Sequence, residues 1–262
     1  MHIFAKTLKT KRLMLFFWCF IVFIVNLALI QLFPSLKEAF ASLTANLPPS
    51  LEAWFGNGLI WDSMKGYIGM EIMNQMSLVA MIFAILFSLS IFAKEEQSGL
   101  MLTQLAKPIS RKSYFWQKYF ALVFALVIFV IVFYAGAYAG MLILGDTSLS
   151  LLDLWQPAIA TFLLCLSLSS IAFSITAATA SESLAGFVSA FLGIVGYFLS
   201  SMSSTAPVID TLSRFTPFYY YNTPNVLEQG LDLKNILILL AIIIIPLILS
   251  LPIFARRDLK TR

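Results

Sequence analysis

Long uncharged apolar stretches dominate the hydrophobic pattern of this 262-residue chain. The first separates Arg12 from Lys37, and at about 1.5 Å of rise per residue it exceeds the roughly 30 Å hydrocarbon core of a bilayer. The others also meet the requirement of about 20 residues for a membrane-spanning helix. The predicted spans, numbered 1 to 6, cover 13–36, 72–93, 119–145, 154–181, 183–209 and 235–255. The sequence therefore predicts an all-α membrane protein, with one transmembrane domain over 1–262.

Lysine and arginine are divided unequally between the segments that connect these spans. Positive residues are retained on the cytoplasmic side of a membrane. The N-terminal segment, the 94–118 segment and the C-terminal tail together hold 13 of the 17 lysines and arginines. The remaining connecting segments hold Lys37, Lys65, Arg214 and Lys234. We therefore expect both termini in the cytoplasm, in a multi-pass protein of the bacterial plasma membrane.

The overall composition also indicates a membrane protein. The chain is 60% hydrophobic and 11% charged, whereas soluble domains are roughly 45–50% apolar and about 25% charged. The net charge of +4 arises beside the spans, where anionic headgroups attract basic residues, so the lipid bilayer and not nucleic acid is the expected partner. The first apolar stretch is longer than the roughly 7–15 residues of a signal-peptide core, so we interpret it as a membrane span and not as a signal peptide.

The residues before span 1 have an amphipathic pattern. Ile3, Phe4 and Leu8 share one face of a short helix, whereas Lys6 and Lys9 point elsewhere. This pattern predicts either an N-terminal interfacial helix or a plain positive anchor, and both interpretations place the segment flat on the cytoplasmic surface.

The segment before span 6 suggests an irregular crossing. Pro207, Pro217 and the small residues of 200–206 predict that span 5 breaks before it crosses fully. Re-entrant outer helices are one interpretation, since backbone at membrane depth must be buried in protein or line a cavity. A simple long loop is the other. The tyrosines of 219–221 suit the outer membrane interface.

Two spans carry stripes of small residues. Gly136 and Gly140 in span 3, and Ala185, Ser189 and Gly193 in span 5, are each spaced four apart. Such spacing lets the backbone of another helix approach closely. These faces are predicted to pack against helices of the same subunit or of a second one.

The sequence offers no catalytic, cofactor-binding or metal-binding residues. It lacks the G-x-x-x-x-G-K-[ST] loop that holds nucleotide phosphates, and His2 is its single histidine. The spans also lack the buried acids that usually mark proton or ion carriers. Glu182, between spans 4 and 5, is interpreted as a helix-boundary residue. Energy for any transport must therefore come from another chain.

The cytoplasmic segment between spans 2 and 3 predicts a short amphipathic helix. Ser98 is a suitable N-cap, Leu102 and Leu105 share a face, and Pro108 disfavours helix at Lys107. From physical pattern alone, this helix could simply join two spans along the membrane surface.

The order of residues here resembles a known family. Glu95, Glu96 and Gly99 are followed by Leu105, and then by the run Pro108-Ile109-Ser110-Arg111 with Lys118 beyond it. This arrangement is similar to the segment after span 2 in type-2 ABC transporter permeases. The 216–219 and 254–259 stretches extend the resemblance. Leu100, Leu102 and Gln104 depart from the family, which often has Thr, Glu and Leu there.

The resemblance implies a coupling helix at 98–106 that docks on a separate cytoplasmic ABC ATPase. ATP and Mg²⁺ would bind in that ATPase, and a second permease copy or a paralogue would complete the transporter. The ATPase-coupling residues implied are Glu95, Glu96, Gly99, Leu102, Leu105, Pro108 and Arg111. The expected function is export of a hydrophobic or amphipathic substrate. The alternative is a membrane anchor or assembly factor that recruits a cytoplasmic partner without transporting anything.

Overall fold

Helices build the whole described part of the protein. The computed structural model describes residues 2–44, 63–97, 109–203, 206–221, 226–227 and 230–257. Span 1 is α1 (His2–Thr44), and span 2 runs through α2 (Met64–Tyr67), a π-helical turn (Ile68–Gln75) and α3 (Met76–Gln97). Span 3 is α4 (Arg111–Leu144), and span 4 is a 3₁₀ turn (Leu151–Leu154) followed by α5 (Trp155–Thr179). Span 5 is α6 (Glu182–Ser201), and span 6 is α9 (Leu233–Arg256).

Six helices in the described ranges are long and apolar enough to cross a membrane. This confirms the prediction of an all-α protein with six transmembrane helices. Span 4 lies at the centre, in contact with spans 2, 3, 5 and 6, whereas span 1 packs mainly along span 3. Spans 1, 5 and 6 expose many large apolar side chains, as lipid-facing helices do.

The first and the last described residues, His2 and Arg257, lie at one end of the bundle, which we call the terminal end. Near the N-terminus, the backbone N–H of Ile3 donates to Oε1 of Gln117, 3.1 Å away at the start of span 3. The C-terminal end of span 6 reaches the same place, where Arg111 binds the carbonyl of Ala255. The 145–150 segment between spans 3 and 4 and the 206–221 segment before span 6 lie at the opposite end.

The predicted interfacial helix is not a separate element. Span 1 begins at His2 and continues without interruption to Thr44. Ile3 is buried, and the Phe4 ring lies 5.8 Å from that of Phe124 in span 3. The apolar face of the first residues therefore packs on span 3, which extends span 1 and corrects the prediction of a segment flat on the membrane.

The small residues of span 3 accommodate span 1 within the same chain. A Cβ added to Gly136 would lie 2.5 Å from the carbonyl oxygen of Phe23, and one added to Gly140 would lie 2.7 Å from Cβ of Ile30. The stripe predicted from sequence is therefore an intramolecular helix contact, in which only glycine lets the two backbones come so close.

The small residues of span 5 are also used within the chain. Gly193 lies against Met81 of span 2, and a Cβ added to Gly196 would lie 2.9 Å from Cβ of Thr216. Ala185 and Ser189 on the same face are buried. Span 5 thus packs on span 2 and on the segment around Thr216 that follows span 5.

The helix of span 5 ends at Ser201, short of the predicted boundary at 209. Two short helices follow, α7 (Pro207–Ser213) and α8 (Pro217–Tyr221). α8 contacts spans 4, 5 and 6, and its Phe218 and Tyr221 are buried. The predicted break of span 5 is therefore confirmed, and the segment before span 6 contains two short helices, of which α8 packs on the bundle at the opposite end.

The close approach of spans 1 and 3 yields a stability prediction. Gly136→Leu should lower the melting temperature of the purified protein in detergent, because the new side chain would overlap the backbone of Phe23. Ala139→Leu adds a similar side chain at a half-buried position of the same helix and should change the melting temperature much less. Equal effects of the two substitutions would contradict this packing.

Candidate functional site

The structure places only part of the predicted coupling set. Glu95 and Glu96 lie in the last turn of α3, but their side chains are outside the described residues. Gly99, Leu102, Leu105 and Pro108 also lie outside the described residues. Arg111 is described, as the first residue of span 3. The contacts of the other six with an ATPase therefore stay predictions, whereas the two flanks of 98–108 can be analysed directly.

An aromatic cluster joins those flanks to two other spans at the terminal end. Its members are Phe92 of span 2, Tyr114 and Phe115 of span 3, Phe173 of span 4 and Phe254 of span 6, and all five are fully buried. The Phe92 ring lies 5.1 Å from that of Phe254 and 5.3 Å from that of Phe173, both edge to face. The Phe115 ring lies 5.0 Å from that of Phe173.

Each ring pair in this geometry stabilises the fold by about 0.5–1.5 kcal/mol, in addition to the free energy gained by burying the apolar area of the rings. Because the rings interlock, the end of span 2 and the start of span 3 cannot shift far without displacing spans 4 and 6. The aromatic cluster is thus a rigid connection between the 98–108 segment and the centre of the bundle.

Arg111 adds a polar connection beside the cluster. Its guanidinium donates to the main-chain carbonyl of Ala255 at 3.4 Å and to that of Arg257. These carbonyls lie at the C-terminal end of span 6, where a helix leaves its last C=O groups without intrahelical partners. Ser110 caps the start of span 3 by accepting a hydrogen bond from the backbone N–H of Ser113. The two helix ends therefore meet through Arg111.

A buried lysine lies about two turns beyond Arg111 in span 3. Lys118, part of the motif that resembles the permease family, is fully buried. Its ammonium lies 5.5 Å from the centre of the Tyr114 ring, within the range of a cation–π interaction. Lys118 is therefore part of the packed terminal end rather than of an exposed basic surface.

At the opposite end, a chain of hydroxyl groups was missed by the sequence analysis. The Tyr221 hydroxyl donates to the main-chain carbonyl of Met73 at 2.9 Å and lies 3.0 Å from Oγ1 of Thr161. Oγ1 of Thr161 is also 2.8 Å from the Tyr134 hydroxyl. The hydroxyl network thus joins α8 to spans 2, 3 and 4.

This position of Tyr221 differs from the expected place of the tyrosine run at the membrane interface. Tyr221 is 1% exposed, whereas the neighbouring Tyr219 and Tyr220 are partly exposed. The only sequence signal was the helical arrangement of Pro217 to Tyr221, which puts one tyrosine of the run on the face that Phe218 shares. Met73 lies in the π-helical turn of span 2, and such turns occur frequently at functional sites.

Comparison with known families decides the class of protein. A family model described as ABC-2 family transporter protein matches residues 1–259. The chain belongs to the ABC-2 transporter family. It is therefore the permease component of an ABC transporter, a multi-pass membrane protein, and the resemblance found in the sequence is confirmed. A comparison with curated proteins finds no significant match.

In an ABC-2 permease, the two ends described above have different chemical character. The terminal end is joined by aromatic rings and by one guanidinium, whereas the opposite end combines hydroxyl groups with the ring contacts of Phe218 to Tyr197 and Tyr221. Ring packing transmits displacement because interlocked side chains have few alternative arrangements. Hydroxyl groups exchange partners easily, since each both donates and accepts.

The contribution of the hydroxyl network can be tested with a native cysteine as the reporter. Cys165 is fully buried in span 4, one turn from Thr161. In a Cys19→Ala background, Tyr221→Phe should raise the rate at which N-ethylmaleimide labels Cys165 by about tenfold. Loss of the two hydrogen bonds that the buried Tyr221 hydroxyl makes costs about 0.5–1.5 kcal/mol each, which favours local opening.

Tyr220→Phe is the matched control, because Tyr220 is the adjacent, partly exposed tyrosine. It should leave the labelling rate of Cys165 unchanged. Labelling at the same rate in both variants would show that the Tyr221 hydroxyl does not hold the opposite end closed.

Proposed function

We propose that this permease exports a hydrophobic or amphipathic substrate, driven by ATP hydrolysis in a separate cytoplasmic ABC ATPase. The observation that carries the proposal is the terminal end, where both flanks of the 98–108 segment are packed against spans 4 and 6. A force applied to this segment has a direct route into the centre of the bundle. ATP and Mg²⁺ belong to the ATPase in this account.

The orientation supports the position of that ATPase. Of the 17 lysines and arginines, 13 belong to the N-terminal segment, the 94–118 segment and the C-terminal tail. The positive-inside rule then puts the terminal end in the cytoplasm, within reach of an ATPase. The opposite end, with α7 and α8, faces the outside, where an exported substrate leaves.

The substrate class is inferred from the lining of the spans. An apolar groove of about 330 Å³ lies between spans 4, 5 and 6, where Ile175, Leu184, Val188, Leu249 and Ile253 contribute to its walls. Polar groups inside the bundle are mainly hydroxyls, such as those of Ser88 and Ser169. An environment of this kind disfavours ions, because a charged group in the membrane interior is costly.

Coupling of ATP hydrolysis to movement of the permease needs a contact energy that differs between the ATP-bound and the ATP-free state of the ATPase. An ATPase moves the permease only if the 98–108 segment binds it differently with ATP and without ATP. A second permease copy or a paralogue would complete the symmetric assembly that alternating closure of two ATPases requires. We propose Glu95, Glu96, Gly99, Leu102, Leu105 and Pro108 as the contact residues.

Charge reversal at Glu96 tests the coupling. Glu96→Lys should abolish most of the ATP-dependent uptake of a lipophilic fluorescent dye into inside-out vesicles, since the ATPase would face a charge of the wrong sign. Insertion should be normal, as judged by membrane abundance. Glu38→Lys makes the same change at the far end of span 1 and should transport normally. Normal uptake by Glu96→Lys would reject the assignment.

A further inference from the structure

The C-terminal end of span 6 has an unusual set of contacts. The helix ends as the backbone turns extended at Arg257, whose N–H donates to the Ile253 carbonyl at 2.9 Å. The following carbonyls have no further turn of helix to bind. Ala255 and Arg257 instead direct theirs at a side chain of another span.

That side chain is Arg111, and its geometry fits the task. A guanidinium is a planar fork of five N–H donors, so one group can bind two carbonyls at once. A cation at the C-terminus of a helix also interacts favourably with the helix dipole. Both hydrogen bonds come from one guanidinium nitrogen, Nη1, which therefore joins the start of span 3 to two carbonyls of span 6.

The neighbouring ring contacts hold the same helix end from two sides. The centre of the Phe254 ring lies 5.1 Å from that of Phe92, near the end of span 2. It lies 6.3 Å from that of Tyr114, in the first turn of span 3, on which it stacks. The end of span 6 therefore touches the helix that leads into the 98–108 segment and the helix that leaves it. Arg111 begins span 3 only three positions after Pro108.

We propose that Arg111 is a positioning residue that makes the C-terminal end of span 6 follow the start of span 3, rather than a contact to the ATPase. Movement of the 98–108 segment then reaches span 6 as well as spans 2 and 3. The contact itself is a property of the isolated permease, whereas its use in transport rests on the proposed function.

The first test measures the contact in the purified permease alone. Spin labels are placed at Lys112→Cys and Arg256→Cys, both exposed, in a background of Cys19→Ala and Cys165→Ala. Arg111→Gln should widen the distribution of label distances at least twofold. Arg111→Lys keeps the charge but not the fork, and it should give an intermediate width. Arg12→Gln removes an exposed arginine from span 1 and should match the unsubstituted protein.

The second test uses the complex that co-purifies with the tagged permease. Labels at Thr179→Cys, at the end of span 4, and Arg256→Cys report how span 6 moves relative to span 4. Adding ATP and Mg²⁺ should shift this distance in the unsubstituted protein and in Arg12→Gln. The shift should be lost in Arg111→Gln, although the ATPase still co-purifies.

The outcomes separate the inference from the proposed function. An unchanged distance distribution in both Arg111 variants would overturn the positioning role. If, in addition, Arg111→Gln lost the ATPase, Arg111 would be a docking residue, and the proposed function would stand. If no ATPase co-purified even with the unsubstituted chain, the proposed function would fail, and the first test would still decide the contact. If Arg111→Gln does not fold, the distance distribution of Arg111→Lys decides whether Arg111 positions span 6.

Discussion

Hydrocarbon offers no hydrogen-bond partners, and this constraint shapes every polar contact inside the protein. Asn26 donates to the Phe133 carbonyl at 2.8 Å, and the Ser88 hydroxyl donates to the Ser169 carbonyl at 2.9 Å. Each such bond joins two different spans. Polar side chains that would be costly facing lipid thus fix how neighbouring helices are aligned, and the hydroxyl network at Tyr221 is the largest instance in the described residues.

The two ends of the bundle are held by different contacts. At the terminal end, the guanidinium of Arg111 donates to the carbonyls of Ala255 and Arg257 at the end of span 6, where a helix leaves its last carbonyls without intrahelical partners. Aromatic rings fill the remaining space and join four spans. At the opposite end, α8 is held by the hydroxyl of Tyr221 and by the ring contacts of Phe218 with Tyr197 and Tyr221.

Sequence patterns predicted the number of spans and the close-packed glycine faces, because both depend on local composition and spacing. The uncharged run alone extends span 5 to 209, whereas Pro207 and the small residues of 200–206 indicated the earlier break that the structure has at Ser201. Sequence patterns assigned Arg111 to an outside partner, and that assignment stays a prediction. The main-chain carbonyls to which its guanidinium donates in the structure lie 144 and 146 positions away, and no pattern of side chains marks them. The Tyr221 contact with Met73, 148 positions away, escaped for the same reason.

The central claim is that a separate ATPase acts on the 98–108 segment. A photo-crosslinking amino acid at Leu102 in living cells tests it most directly, with the same amino acid at the lipid-exposed Phe20 as control. The account predicts that Leu102 forms a crosslink to a protein that carries a G-x-x-x-x-G-K-[ST] loop, and that Phe20 does not. Crosslinks from Leu102 to lipid alone, in a permease that still transports, would contradict the account.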